Sequence, residues 1–597
     1  MQNVYLFQPQ YSVEYKKETN YWLPYSVGCL WSYVSQFDRI LENFTLADLF
    51  FKREKIEDVL DRIENPRICG FSCYLWNENY CLRLAEEVKK RWPDCVVMFG
   101  GPQCTSDILE KHTFIDTVIF GEGEESFLSI LDSMINGEPI ERKYDKSRLQ
   151  DLDIPSPYTS GVFDTIVKQH PDAIWAMTLE TNRGCPYACT FCDWGSVTYS
   201  KVKKFGLERV KEELDWAEEN RVAYIFVADA NFGMLKDRDL EIAKLIREAA
   251  DRSMIESLNI QYAKNSTDVI YEIAKTIGPY SKGITVSVQS MNEQTLVDIK
   301  RKNLDINNIE RVMRLSVEHG VGTYTEVILG LPNETLESWK EGLAQLLELG
   351  QHQNIDIWFA QLLGNSELAN PFSRRTYGIK TILVEDYLTL HQSEDGVKEY
   401  TEIVNATNTM TTDDMVEAYL YTWMIIHFHI NGYVQMIARY ANKILKIPYR
   451  KFYDSLFAKI QNDATFGKHY SELQSIIKNY LTTGKLPEDL YGGHAIHSIS
   501  YKIIYDNRKH VSSLALSVLD EIHSGADRSI AELQDLFVYD SSKKYPLETE
   551  TDYNLYTGDT TRTIYQFTSQ TDQMIEDFYV LRRKGFLKNT VKTEERS

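Results

Sequence analysis

The chain has 597 residues, which at ~150 residues per domain allows two to four domains. Hydrophobic residues make up 43% and charged residues 25%, which excludes a disordered tail, a collagen-like chain and a small disulfide scaffold. Asp plus Glu number 87 against 65 Lys plus Arg, a formal net charge of -22 that repels phosphate backbones, so nucleic acid is not the expected partner. No basic segment followed by an apolar run opens the sequence, so no secretory leader is read there. The most apolar stretch, 418–441, carries His427, His429, Asn431, Gln435 and Arg439, which suits a buried helix better than a membrane span. A cytoplasmic location is expected.

Residues 1–145 alternate short apolar runs with amphipathic stretches, and strands are predicted at 4–8, 44–51, 68–75, 95–101 and 116–121, with a helix at 79–91. Near-continuous apolar strands separated by helices predict a doubly wound, Rossmann-like parallel sheet. Ligands of such sheets sit at the carboxyl ends of the strands. Those ends carry Gln8, Ser72, Tyr74, Trp76, the run Gly100-Gly101-Pro102 and the run Gly121-Glu122-Gly123. Glycine there lets backbone approach a ligand closely. Six of the nine cysteines, Cys29 to Cys104, are scattered here among apolar residues and read as packing thiols.

Residues 146–172 are polar, contain Pro155 and Pro157, and are predicted as a connecting strap. Residues 173–381 alternate again, with strands predicted at 175–180, 223–228, 258–262, 284–288, 324–329 and 355–360. Six such βα units make a partial TIM barrel, whose functional groups lie just past the strand ends. The first strand leads into TNRGCPYACTFC, which spaces Cys185, Cys189 and Cys192 as C-x3-C-x2-C. Thiolates are soft ligands suited to iron–sulfur clusters. Three on one short loop can hold three irons of a 4Fe–4S cube and leave the fourth open to a substrate. The competing readings are chance packing and a zinc site, but structural zinc takes four ligands and no fourth Cys or His lies nearby. Later strand ends carry Asp229, Asn231, Lys264, Ser287, Gln289 and Glu326. Ser287 and Gln289 share a face by the two-residue period of a strand. Binding competes at these positions with helix capping or a strand-end bond.

Residues 382–597 are predicted to be mostly helical, with helical periodicity at 417–445 and 511–522. His427 and His429, two apart, cannot share one helix face, so they read as packing or solvent residues rather than metal ligands.

The C-x3-C-x2-C loop following an apolar strand, with Phe191 before its last cysteine, resembles the radical SAM superfamily. A sheet with GGP, then GEGE, then that loop resembles its cobalamin-dependent, class B methyltransferase-like branch over roughly residues 1–380. The resemblance implies a cobalamin domain at 1–145 and a radical SAM barrel at 173–381, joined by the strap at 146–172, and the helical periodicity beyond adds a helical domain at 382–597. It implies a 4Fe–4S cluster on Cys185, Cys189 and Cys192, with S-adenosylmethionine (SAM) on the open iron. The Asp229–Phe232 stretch resembles the family's Asp-x-Asn-Phe element near the SAM methionine, and Gly330-Leu331-Pro332 its adenine-side turn. Asp229, Asn231, Lys264, Ser287, Gln289 and Glu326 are then expected around SAM. Gln8, Ser72, Tyr74, Trp76, Gly100, Gly101, Pro102, Gly121, Glu122 and Gly123 are expected around cobalamin.

Many cobalamin domains ligate cobalt through the histidine of D-x-H-x-x-G, yet this chain has no histidine before His112. The lower face of cobalt must then meet another side chain, water or nothing, and Trp76 is expected to cap it. The implied activity is C-methylation: a 5′-deoxyadenosyl radical removes hydrogen from an unactivated carbon and methylcobalamin delivers methyl. Rearrangement, cyclisation or oxidation without methyl transfer, and a non-catalytic cobalamin-binding protein, are the alternatives. The implied partners are a natural-product intermediate or peptide as substrate and a flavodoxin or ferredoxin as electron donor. The segment 358–381 resembles one in cobalamin-dependent methylases, with Gly364 standing where those have proline, and no function attaches to it.

Overall fold

An apolar strand with no polar alternation must be covered on both faces, and a parallel sheet between helix layers does this. The computed structural model describes residues 1–535 except 12, 16–17, 197–200, 265–266, 304, 387–394, 488–494, 528–529 and 532. These fall into two compact units. One comprises 1–282, 299–301 and 361–404, and the other 283–298, 302–360 and the residues from 405 on.

The first unit contains a six-stranded parallel sheet. Its order is Phe44–Lys52, Gln2–Gln10, Pro66–Ser72, Val96–Gly100, Thr117–Gly121 and Lys143–Ser147. Phe7 stacks between Phe50 and Phe71 with ring centroids 4.7 and 4.5 Å apart. Helix Glu78–Arg91 turns Tyr80, Cys81, Leu84, Ala85 and Val88 onto the sheet at helical spacing. All six early cysteines are buried, as packing thiols should be. The first strand lies between the second and third, so the order in which successive strands are added reverses at Gln2–Gln10. Such a reversal opens a ligand crevice at the carboxyl ends of the two strands flanking it.

Lys143–Ser147 was not predicted. Its sequence, KYDKS, is polar as an edge strand can be, and it runs into the expected strap. Beyond it the strap is packed rather than free: Leu149, Leu152 and Ile154 cluster with Phe205.

A second sheet of this unit runs Ser257–Tyr262, Val222–Phe232, Ile174–Leu179, Glu18–Trp22 and Val13–Tyr15. Its first three strands are parallel and are the first three of the expected barrel. The Val13–Tyr15/Glu18–Trp22 hairpin joins them from far away in the chain, and its charged sequence carries no strand period. The other three barrel strands, Ile284–Thr285, Thr323–Leu329 and Ile355–Phe359, form a parallel sheet in the second unit. Lys380–Glu385 and Tyr400–Ala406 pair as strands, so the region after 382 does not begin helical as predicted.

After residue 405 the second unit's described α-helices are Thr412–Met424, Gln435–Lys443, Tyr449–Asn462, Phe466–Thr483, Ala495–Asp506 and Arg508–Ile522. Thr411 opens the first with a reciprocal cap to Asp414. The single helix expected at 417–445 is broken. A π-helical turn occupies Ile425–Ile430, and Gly432, at φ +92°, reverses the chain before Gln435–Lys443. His427 and His429 are fully buried. The prediction for 536–597 lies outside the described residues. Among the described residues no helix is long and apolar enough to cross a membrane.

Candidate active site and cofactor-binding residues

Ile174–Leu179 leads into the cysteine loop, and the neighbouring strand Val222–Phe232 alternates so that Asp229 and Asn231 both point to a buried side. The Asp229 carboxylate accepts the backbone N–H of Thr181 at 2.8 Å and of Asn182 at 3.0 Å on one oxygen. Its other oxygen accepts the Thr181 hydroxyl and the Asn182 side-chain amide. Asp229 thus braces the root of the loop, while burial pushes its carboxyl up to about 7. The distal end of the loop is braced by backbone: Thr190 N–H donates to Ile299 at 3.0 Å and Leu368 N–H donates to Thr190 at 2.7 Å.

Cys185 and Cys189 are buried and Cys192 is half-buried. Asn231 Nδ2 donates to Cys185 Sγ at 3.4 Å, and its buried Oδ1 has no hydrogen-bond partner among the described residues. A buried unsatisfied oxygen costs about 1–3 kcal/mol, so it marks a place where a ligand donor belongs. The Lys264 ammonium lies 5.5 Å from the Tyr187 ring centroid. Burial first and Arg301 second pull its pKa down, against the nearby cysteine sulfurs. Among the described residues no three His, Cys, Asp or Glu side chains converge on one metal ion. In a cube each thiolate takes its own iron, so no such convergence is required. The donor set fits a 4Fe–4S cluster with SAM beside it.

Two residues ahead of Cys185, Arg183 meets Glu124 at 2.7 Å and Glu180 at 2.9 Å. Glu124 opens the helix Glu124–Asn136 directly after the Gly121-Glu122-Gly123 run. Glu122 itself accepts the Leu149 N–H at 2.7 Å.

At the crevice of the first sheet, three expected residues meet on Ser26, which the sequence reading missed. Gln8 Oε1 accepts Ser26 N–H at 3.0 Å and its hydroxyl at 2.7 Å. The Ser26 oxygen lies 3.0 Å from Ser72 Oγ and accepts the Tyr74 hydroxyl at 3.2 Å. Tyr74 and Trp76 stack at 4.6 Å, and the buried Trp76 Nε1 has no hydrogen-bond partner among the described residues. Arg53 Nη1 donates to the Trp76 carbonyl at 2.7 Å and to Glu399 at 2.9 Å. Asn77, the last residue of that strand-end loop, shapes it: its Oδ1 accepts Tyr74 N–H at 2.7 Å and its Nδ2 donates to the Pro9 carbonyl at 2.9 Å.

Gly101 has φ +101°, and a Cβ there would lie 2.5 Å from the Cys73 carbonyl oxygen. At this position glycine lets two backbones meet. The next carbonyls, of Pro102 and Cys104, accept Asn365 Nδ2 at 2.7 and 2.9 Å. A side chain at Gly364 would press on Thr105 at 2.7 Å. The turn without an assigned function therefore docks on the Gly100-Gly101-Pro102 loop.

In the second unit, Ser287 Oγ donates to Glu326 at 2.6 Å. Gln289 N–H donates to the Glu326 carbonyl at 3.0 Å, with Gln289 itself at φ +65°. These three expected residues form one group, while Asp229, Asn231 and Lys264 belong to the first unit with the cysteine loop.

Residues 179–346 match the family model of the Radical SAM superfamily, and residues 31–131 that of the B12 binding domain. The chain is 32% identical over 495 residues to the cobalamin-dependent radical SAM methyltransferase TokK of Streptomyces tokunonensis, spanning 78% of this chain and 72% of that one. It is 31% identical over 496 residues to the 2-(S-pantetheinyl)-carbapenam-3-carboxylate methyltransferase of Streptantibioticus cattleyicolor, with coverage of 78% and 72%. Its fold matches that of the cobalamin-dependent S-adenosylmethionine radical enzyme OxsB at a TM-score of 0.51 and 14% identity, over 91% of this chain and 83% of that one. The chain belongs to the cobalamin-dependent radical SAM methyltransferase family, and its cofactors are a 4Fe–4S cluster, SAM and cobalamin.

Proposed function

We propose that this enzyme methylates an unactivated carbon of a small natural-product intermediate. When bound, the cluster and SAM supply a radical that removes hydrogen, and cobalamin supplies the methyl group. The protein's share is placement and exclusion of water. Cys185, Cys189 and Cys192 hold the cluster. Asn231 and Lys264 are the partners for SAM beside it, with Asp229 keeping the loop in shape. Gln8, Ser72, Tyr74 and the Gly100-Gly101-Pro102 and Gly121-Glu122-Gly123 runs line the cobalamin crevice. Trp76, at the same crevice, would stand against bound cobalamin where other cobalamin domains offer a histidine.

The observation that carries this reading is the salt bridge of Arg183 to Glu124. It joins the loop of one cofactor to the loop of the other, as a reaction needing both at one carbon requires. The named activity of the Streptantibioticus relative makes a carbapenam thioether carboxylate the first substrate to assay. A flavodoxin or ferredoxin is the proposed electron donor.

The test is anaerobic turnover with methyl-deuterated SAM and that carbapenam. Labelled product with equal S-adenosylhomocysteine and 5′-deoxyadenosine supports the reading. 5′-Deoxyadenosine without S-adenosylhomocysteine would replace it by radical chemistry without methyl transfer. Undiminished iron in the Cys185→Ala/Cys189→Ala/Cys192→Ala variant would sink the cluster assignment.

A further inference from the structure

Arg183 ties the start of helix Glu124–Asn136 to Glu180, which directly follows the strand Ile174–Leu179. Its Nη1 lies 2.7 Å from Glu124 and its Nε 2.9 and 3.0 Å from the two Glu180 oxygens. The three side chains are 15%, 4% and 16% exposed, so the charges act with little screening by water. Glu124 stands at the start of a helix, where an anion also meets the positive end of the helix dipole. Glu180 accepts the Tyr25 hydroxyl at 3.1 Å, and Tyr25 opens the helix whose Ser26 gathers Gln8, Ser72 and Tyr74. From a point two residues before Cys185, the guanidinium therefore joins the helix start after Gly123 directly, and the helix of Ser26 through Glu180 and Tyr25. Its planar fork holds two carboxylates at a set angle, which a lysine ammonium does not.

We propose that Arg183 is a positioning residue that sets the distance from the cluster to cobalt through Glu124 and Glu180. This rests on the methyl-transfer reading only for its consequence. Forming the radical needs the cluster and SAM. Transferring methyl to the resulting carbon radical also needs the methyl donor within reach, and a displacement of about 1 Å can cost 10²-fold. Loss of Arg183 uncouples the two.

The test is pulsed dipolar electron paramagnetic resonance on the full-length protein, anaerobically reconstituted, with the cluster reduced and cobalamin as cob(II)alamin. The wild type should give one narrow cluster–cobalt distance. Arg183→Gln should broaden or lengthen it at unchanged iron and cobalamin content, and the near-isosteric Glu124→Gln should do the same should the first variant fail to load. Methylated product per 5′-deoxyadenosine should fall about tenfold or more in both variants. An unchanged narrow distance in a fully loaded variant overturns the proposal. If the distance broadens while the wild type makes no methylated product, the positioning role stands and the methyl-transfer reading fails.

Discussion

Asn231 Nδ2 donates a hydrogen bond to Cys185 Sγ across 3.4 Å, from a side chain only 2% exposed. Hydrogen bonds to cluster sulfurs draw electron density from them and help to set the reduction potential. Asn231→Leu keeps the bulk and removes the donor. Its cluster should form with full iron content and reduce at a more negative potential. A redox titration followed by electron paramagnetic resonance checks this, and an unchanged potential would mean that the amide does not act on the thiolate.

Trp76 is stacked on Tyr74 and its loop is held by Arg53 and Asn77. Trp76→Ala should retain the cluster and still form 5′-deoxyadenosine. The visible spectrum of its bound cobalamin should shift toward a water-ligated form, and methylated product should fall. An unaltered spectrum and methylation rate would make Trp76 a packing residue.

Gly101 brings its backbone against that of Cys73 at φ +101°, where a Cβ would lie 2.5 Å from a carbonyl oxygen. Gly101→Ala should cost about 1–3 kcal/mol through backbone strain and the forced separation of the two loops. The thermal midpoint should drop, and cobalamin content after reconstitution should drop with it. Normal cobalamin content in the folded variant would separate this loop from the cobalamin crevice.

His429 is buried between His352 Nδ1, at 2.9 Å, and the Tyr453 hydroxyl. Burial pushes its pKa from 6.5 to about 3, and burial together with the Arg439 charge pulls His352 down as well. The unfolded chain takes up these protons first. The stability that neutral histidines contribute is therefore complete above about pH 6.5 and is lost as pH falls toward 3. Each histidine contributes a slope of up to about 1.4 kcal/mol per pH unit. Denaturant unfolding between about pH 7.5 and 5 should show His429→Gln declining less steeply than the wild type. Parallel slopes would place the acid sensitivity elsewhere.

Local features were open to sequence reading because their physics is local. Cys185, Cys189 and Cys192 lie within eight residues, so thiolate chemistry and spacing sufficed to suggest a cluster. Unbroken apolar runs announced a parallel sheet because both of its faces must be covered, and GGP and GEGE marked strand ends by composition alone. Tertiary structure decided what those ends do. Ser26 and Asn77 become central only when Gln8, Ser72 and Tyr74 converge, and Arg53 reaches Glu399 across 346 residues of chain. Gly101 meets Cys73, and Asn365 finds carbonyls 263 and 261 residues away. Val13–Tyr15 and Glu18–Trp22 join the barrel strands because an edge was open to them, and no period within their own sequence shows it. Arg183 precedes the cysteines in every reading of the sequence. That it closes on Glu124 depends on where folding places a helix start 59 residues earlier, since a buried charge takes whichever partner the packed chain brings within reach.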